Sequence, residues 1–264
     1  MLKHLICLAV VVGALAILPA ASAQSRHVVF MIGEDEYHTW ETLPEFAKTE
    51  LEPKGYRVTI VQADSADKNN FPGLIDALRT ADLLFVSVRR RTPPSAQLHA
   101  VRAHLAAGKP LVGIRTACHA FALRPNDPPA TSGHATWQEF DPEVLGGHYT
   151  NHHEAGPPTS VSIADGAAGH EILQGIVLSR LAGAGSLYKV APLVSSARPI
   201  LIGSIPGQPS EPVAWTHTYG PKGARVFYTS LGHPDDFKNG EFRRLLVNGV
   251  AWALGSGAGA RTGR

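Results

Sequence analysis

The stretch Lys109-Pro-Leu-Val-Gly-Ile-Arg-Thr-Ala-Cys-His-Ala-Phe-Ala-Leu123 decides how the rest of the chain is read. Leu111 to Ile114 is a short apolar run of the kind that forms a strand buried on both faces, and the change of composition after it marks an abrupt turn into a helix start. In an open α/β sheet, residues at the C-terminal ends of parallel strands line the ligand crevice. Arg115, Thr116, Cys118 and His119 fall at that end: a cation, a hydroxyl, a thiol and an imidazole within a single turn.

Working outward, the same grammar repeats. Arg26 to Ile32 is a near-continuous apolar run, again a doubly buried strand. Gly33-Glu-Asp-Glu-Tyr-His-Thr39 follows at its ligand end. Thr42-Leu-Pro-Glu45 predicts a helix start, with Thr42 as N-cap, Pro44 in the first turn and Glu45 closing a capping box; the helix runs to about Pro53 and exits at Gly55. Tyr56–Val61 and Ala81–Val88 are further strands. Leu74–Arg79 is a short helix, and Pro94–Gly108 is a helix with Leu98, Val101 and Leu105 at helical spacing. Four strand–helix alternations predict a doubly wound α/β sheet, mainly parallel.

The alternation stops at Pro125. Residues 125–158 are rich in Pro, Asp, Gly and His, and a loop this long inside a domain is functional or disordered. Thr159–Ile163 resumes as a strand, and Gly169–Leu173 is a helical turn. Ser186–Val190, Pro199–Ser204, Pro212–His217 and Ala224–Ser230 read as four strands without helices between them, expected to pair in antiparallel fashion and extend the sheet. Glu241–Leu254 is the final amphipathic helix. One domain is expected over residues 24–256, with a disordered tail over 257–264.

The 264 residues are 44% hydrophobic and 17% charged, an ordinary globular balance, and the formal net charge of +2 offers no basic field for nucleic acid. Residues 1–23 read as a signal peptide: a basic start at Met1-Leu-Lys-His4, an apolar run from Leu5 to Leu18, and a small-x-small cleavage site before Gln24. The run is short for a membrane span. The expectation is export to a periplasm or beyond, with no membrane association after cleavage. Cleavage leaves Cys118 as the sole cysteine, so no intramolecular disulfide forms; its thiol is either a buried apolar group or one in use.

Histidine is the compositional anomaly, with 13 residues gathered in clusters. At Arg115–His119 the strand–turn–helix resembles a nucleophile elbow, but the tip falls on Arg115, a permanent cation. Arg115 is either an anion- or carbonyl-binding cation or part of a buried ion pair. Cys118, in the first helical turn, would have its pKa lowered by the helix N-terminus and Arg115. Gly146-Gly-His-Tyr-Thr-Asn-His-His-Glu154 places His148, His152, His153 and Glu154 in a loop, either solvated or supplying acid/base and metal-ligating groups. Glu34 and His38 follow the first strand, and His233 with Asp235 follows the last. If the sheet forms as read, these clusters converge on one crevice.

Several segments together resemble the ThuA-like (trehalose utilisation) family: Gly33-Glu-Asp-Glu-Tyr-His38, Val112 to Phe121, Gly146-Gly-His-Tyr-Thr-Asn-His152, Pro212-Val-Ala-Trp-Thr-His-Thr-Tyr-Gly220, and Arg225 onward to Trp252. The resemblance implies a fold similar to class I glutamine amidotransferases, a flavodoxin-like three-layer sandwich. It also implies a link to trehalose and to oxidised (keto) glycosides. Amidotransferases carry a cysteine at the elbow where this chain has Arg115, so amidotransferase chemistry is not expected.

The leading expectation is an exported enzyme cleaving a small carbohydrate derivative such as a keto-glycoside. His119 and His148 are the base and acid, and Arg115 holds a developing oxyanion. Glu34, His38, Thr116, Tyr149 and His233 are candidate substrate-binding residues. His148, His152 and Glu34 are candidate ligands for a divalent metal. Two rivals stand beside it: a non-catalytic sugar-binding module using Tyr37, Trp40, Trp137 and Tyr149 as platforms, and a metal-dependent hydrolase of another substrate class.

Overall fold

The computed structural model describes residues 25–256. The signal-peptide and tail expectations lie outside those residues. In chain order the elements are β1 (His27–Gly33), α1 (Thr39–Phe46), β2 (Arg57–Gln62), α2 (Leu74–Thr80), β3 (Leu83–Val88), α3 (Ser95–Ala106) and β4 (Leu111–Ile114). After these come β5 (Asn151–His152), β6 (Thr159–Ile163), β7 (Ala182–Gly183), β8 (Tyr188–Lys189), β9 (Arg198–Ser204), β10 (Glu211–Tyr219), β11 (Ala224–Thr229) and α4 (Gly240–Ala253). Among the described residues no helix is long and apolar enough to cross a membrane.

Nine strands form one sheet in the order β2-β1-β3-β4-β11-β10-β9-β6-β7. Strands β2, β1, β3, β4 and β11 are parallel, and β10, β9, β6 and β7 are added antiparallel. Period-two alternation sends Val29 and Met31 to one face and Val28, Phe30 and Ile32 to the other. On the first face they meet Leu74, Leu78, Leu98 and Val101 of α2 and α3; on the second, Leu43 and Phe46 of α1 with Phe242 and Leu246 of α4. Two cores on opposite faces explain why β1, β3 and β4 are apolar at nearly every position.

Three expectations are corrected. The last four predicted strands do not all extend the sheet as antiparallel neighbours: β11 inserts beside β4 in parallel, and β8 leaves the sheet to pair with β5 in a separate two-stranded ribbon. The first helix starts at Thr39 rather than Thr42, so Pro44 lies inside it. Its start is organised by Glu34, whose Oε1 accepts from Thr39 N and Oγ1, each at 2.7 Å, and not by a Thr42–Glu45 box. Beyond Phe46 the chain continues through a wide turn (Ala47–Leu51) and a 3₁₀ turn (Glu52–Lys54) to Gly55 at φ 85. The aperiodic stretch after Pro125 holds a helical turn at Asp141–Leu145 and β5.

Candidate active site

The turn after β4 has the elbow geometry expected. Arg115, at its tip, sits at φ 46, in the left-handed region that L-residues rarely enter. Residues Arg115–His119 form a short 3₁₀ segment. The Arg115 side chain does not itself line the cleft but lies beneath two residues that do, Tyr37 and Tyr188. Arg115 is buried, and its Nη1 donates to the carbonyls of Ser230 at 2.9 Å and Ser186 at 3.0 Å. Nη2 donates to Ser186 Oγ at 3.1 Å and Tyr37 Oη at 3.3 Å, and the guanidinium lies 4.1 Å from the Tyr188 ring centroid and 4.6 Å from that of Tyr37. Neither expected reading of Arg115 is met. Its Nη donors are taken by protein, and it forms no ion pair with a carboxylate among the described residues.

A cleft of about 640 Å³ opens above the turn. His119 forms part of its wall. Its ring stacks on Tyr149 at 4.5 Å, and Nδ1 lies 3.2 Å from Cys118 Sγ. Nε2 has no protein partner among the described residues and is not enclosed, so it is left to the cleft. Burial, and then the charges of Arg90, Arg89, Arg124 and Arg115, hold its pKa well below the ordinary imidazole value. The ring is therefore neutral at neutral pH.

Cys118 is the buried group of the two alternatives, and its pKa is not lowered as the elbow reading expected. Desolvation, then the nearby Asp141, pushes its thiol well above the ordinary value, so it is not an activated nucleophile. Its Sγ is 3.4 Å from the Arg115 carbonyl. A thiol that donates there accepts from His119 Nδ1–H and leaves the Nε2 lone pair open.

His148, Tyr149 and His152 line the cleft as the loop reading placed them, with His148 and His152 exposed. The remaining predicted residues lie elsewhere. Thr116 is fully buried with its hydroxyl unpartnered, so it cannot touch a substrate. Glu34 is buried, and besides its two bonds to Thr39 its Oε2 accepts from Glu36 N and Tyr37 N, both at 2.6 Å. With all four bonds spent on its own loop it is a structural anchor. His38 stacks on Trp40 at 4.6 Å outside the cleft. His233 lies behind Tyr37, its Nδ1 accepting from Asp235 N at 3.2 Å. Asp236 rather than Asp235 organises that turn, accepting from Gly232, His233 and Ala184 backbone N–H groups.

The proposed metal set is not assembled. Among the described residues no three His, Cys, Asp or Glu side chains are grouped to hold an ion. Of the aromatic candidates, Tyr37 and Tyr149 line the cleft. Trp137 is buried, donating to Glu143 at 2.7 Å, and Trp40 is covered by His38.

The structure adds groups the sequence reading passed over. Arg89 and Arg90 enter at the end of β3, Arg124 from just before the irregular stretch and Asp141 from within it. Asp141 is buried with no cation beside it; Oδ2 accepts from Tyr149 N at 2.6 Å and Oδ1 has no partner. Desolvation raises its pKa to about 7, partly offset by that bond. A Cβ at Gly147 would stand 2.5 Å from Asp141 Oδ1, so only glycine lets the loop close over the carboxyl. The strand-end rule applied to β3 as well would have found the arginines; nothing local marks Asp141.

A mixed α/β protein with a largely parallel sheet and a polar cleft at its strand ends is the class these features define. The family model for ThuA, described as trehalose utilisation, matches residues 27–253, and the chain belongs to that family. Solved ThuA-like proteins share the fold. One from Bacteroides uniformis has TM-score 0.63 at 16% identity, covering 92% of this chain and 97% of that one. One from Parabacteroides merdae has TM-score 0.59 at 17% identity, covering 91% and 92%. A β-galactosidase from Rahnella sp. R3 aligns at TM-score 0.55 and 14% identity over 88% of this chain but 31% of that one. No curated protein matches the sequence.

Proposed function

We propose that this protein is an exported enzyme that cleaves a carbohydrate derivative, such as a keto-glycoside, by general acid–base catalysis at the cleft beside His119. The observation that carries the reading is a single one: an imidazole kept neutral, with Nε2 open to the main cleft. The carbohydrate class comes from the family's description. The order β2-β1-β3-β4-β11 supports the flavodoxin-like reading of the scaffold, with the site at its strand ends.

In this reading His119 Nε2 removes the proton from the carbon next to the ketone. The electron pair passes through the enolate and breaks the glycosidic C–O bond. An acid then gives a proton to the departing oxygen. Two groups on the cleft wall suit that role: His148, which is exposed, and Asp141, whose raised pKa keeps it partly protonated near neutrality. Tyr149 connects the two sides, stacking on His119 and donating its backbone N–H to Asp141.

The test is turnover of keto-glycosides by His119→Ala and His148→Ala. Activity should fall in both, by about 100-fold or more for His119. Unchanged activity in both variants overturns the assignment. A non-catalytic sugar-binding role is the second reading, favoured by Tyr37 and Tyr149 at the cleft; saturable sugar binding without turnover would select it.

A further inference from the structure

The run Arg89-Arg90-Arg91 leaves β3 at the ligand end, and its three guanidiniums have different partners. Arg89 Nε lies 2.7 Å from Glu36 Oε2. Arg91 pairs with Asp35, which also holds Lys68 at 3.1 Å. Arg90, between them, forms no ion pair among the described residues. Its backbone sits at φ 49 and is pinned by Arg90 N to the His119 carbonyl at 3.0 Å and Arg91 N to the Ala120 carbonyl at 2.7 Å. That uncommon turn presents the side chain of Arg90 to the cleft.

One bond, Nη1 to the Ala122 carbonyl at 3.1 Å, positions the guanidinium, and its Nε is buried without a partner. Arg124 stands on the same cleft wall, also without an ion pair, and its charge opposes that of Arg90. The acids nearby compensate only in part: Glu36 is paired with Arg89, Asp141 is buried and partly protonated, and Asp127, which accepts from the Arg124 backbone N at 2.8 Å, offsets some of the Arg90 charge, while Glu139 also lines the cleft. Arg90, partly buried, free of any ion pair and beside a second cation, is under-compensated for its burial and gains from an incoming anion. The planar guanidinium fork matches a carboxylate or phosphate.

We propose that the cleft recognises its carbohydrate through an anionic group, a carboxylate or a phosphate, held between Arg90 and Arg124. The inference rests on the carbohydrate reading above and narrows its substrate class from neutral glycosides to charged ones.

Calorimetric titration of the exported chain with glucose, glucuronate, glucose 6-phosphate and inorganic phosphate, at low and high salt, tests it. At least one charged sugar should bind about 10-fold or more tightly than glucose, the difference expected of one charge-assisted hydrogen bond. The glucuronate and phosphate arms show which anion is read. Arg90→Gln and Arg124→Gln should each remove that preference while leaving glucose binding unchanged; Arg91→Gln, outside the cleft, should leave it intact. Arg124 is exposed, so Arg124→Gln decides the matter if Arg90→Gln fails to fold. Equal binding of glucose and the charged sugars overturns the anion site and leaves the carbohydrate function standing. Binding of inorganic phosphate with no sugar overturns the carbohydrate reading and this inference with it. A preference that survives both variants, or no binding by any probe, also overturns the proposal.

Discussion

Burying Asp141 without a cation has a consequence for stability as well as chemistry. Its folded pKa, about 7, lies above the ordinary carboxylate value of 3.8. Between those values the folded chain holds a proton the unfolded chain has released, so stability falls as pH rises from about 4 to 7 and is constant above. The ionisation costs on the order of 4 kcal/mol. Asp141→Asn keeps the bond from Tyr149 N and removes the charge, but leaves an amide nitrogen unpartnered, which takes back about 1–2 kcal/mol. The variant should be more stable than the parent by roughly 2 kcal/mol at pH 8 and not at pH 4. Urea denaturation at the two pH values checks it. His119 was legible in the sequence because it follows a buried strand directly. Asp141 was not, because its pKa is set by the fold closing over it. Arg90 was legible only as a strand-end residue, since its lack of an ion pair emerges only once the partners of Arg89 and Arg91 are known.

At the scale of elements, α3 and α4 carry two further predictions. His104 of α3 is buried, with Nε2 3.1 Å from the Pro110 carbonyl and Nδ1 unpartnered. Desolvation lowers its pKa to about 4, against the ordinary 6.5. The unfolded chain binds the extra proton first, so this histidine's stability contribution is complete above pH 6.5 and is lost as pH falls toward 4, by roughly 3 kcal/mol. His104→Gln, which can still donate to Pro110, should flatten the acid side of the stability–pH curve; equilibrium unfolding at pH 7 and pH 4.5 measures it. On α4, a Cβ at Gly249 would lie 2.2 Å from the Phe227 ring. Gly249→Ala gains about 1 kcal/mol of helix propensity and loses about 1–3 kcal/mol to overpacking. A lowered melting temperature is expected, and a raised one would show that α4 can shift off β11. The helices themselves were legible from apolar spacing. Their starts were less so: the cap of α1 comes from Glu34, five residues before Thr39, and not from the Thr42–Glu45 pattern.

Across the whole molecule, Arg115 joins parts of the chain that are remote in sequence. It ties the turn after β4 to the Ser230 carbonyl beyond β11, to Ser186 before β8, and to Tyr37 beyond β1. The Tyr228 hydroxyl donates back to its carbonyl. Arg115→Met should destabilise the fold by about 3 kcal/mol or more, because it strands several buried acceptors. Residual activity should follow the folded fraction, with KM unchanged; a selective loss of kcat in a fully folded variant would restore the oxyanion role to Arg115. What the sequence alone determined was the run of buried strands, their alternation with helices, the elbow after Ile114 and the family resemblance, all written in local apolar pattern and short motifs. The tertiary structure decided the place of β11 beside β4, the inward turn of Glu34, Thr116 and Arg115, and the approach of Arg90, Arg124 and Asp141 to His119. Strand partners and the burial of a polar group depend on residues far away in the chain, and no local pattern encodes them.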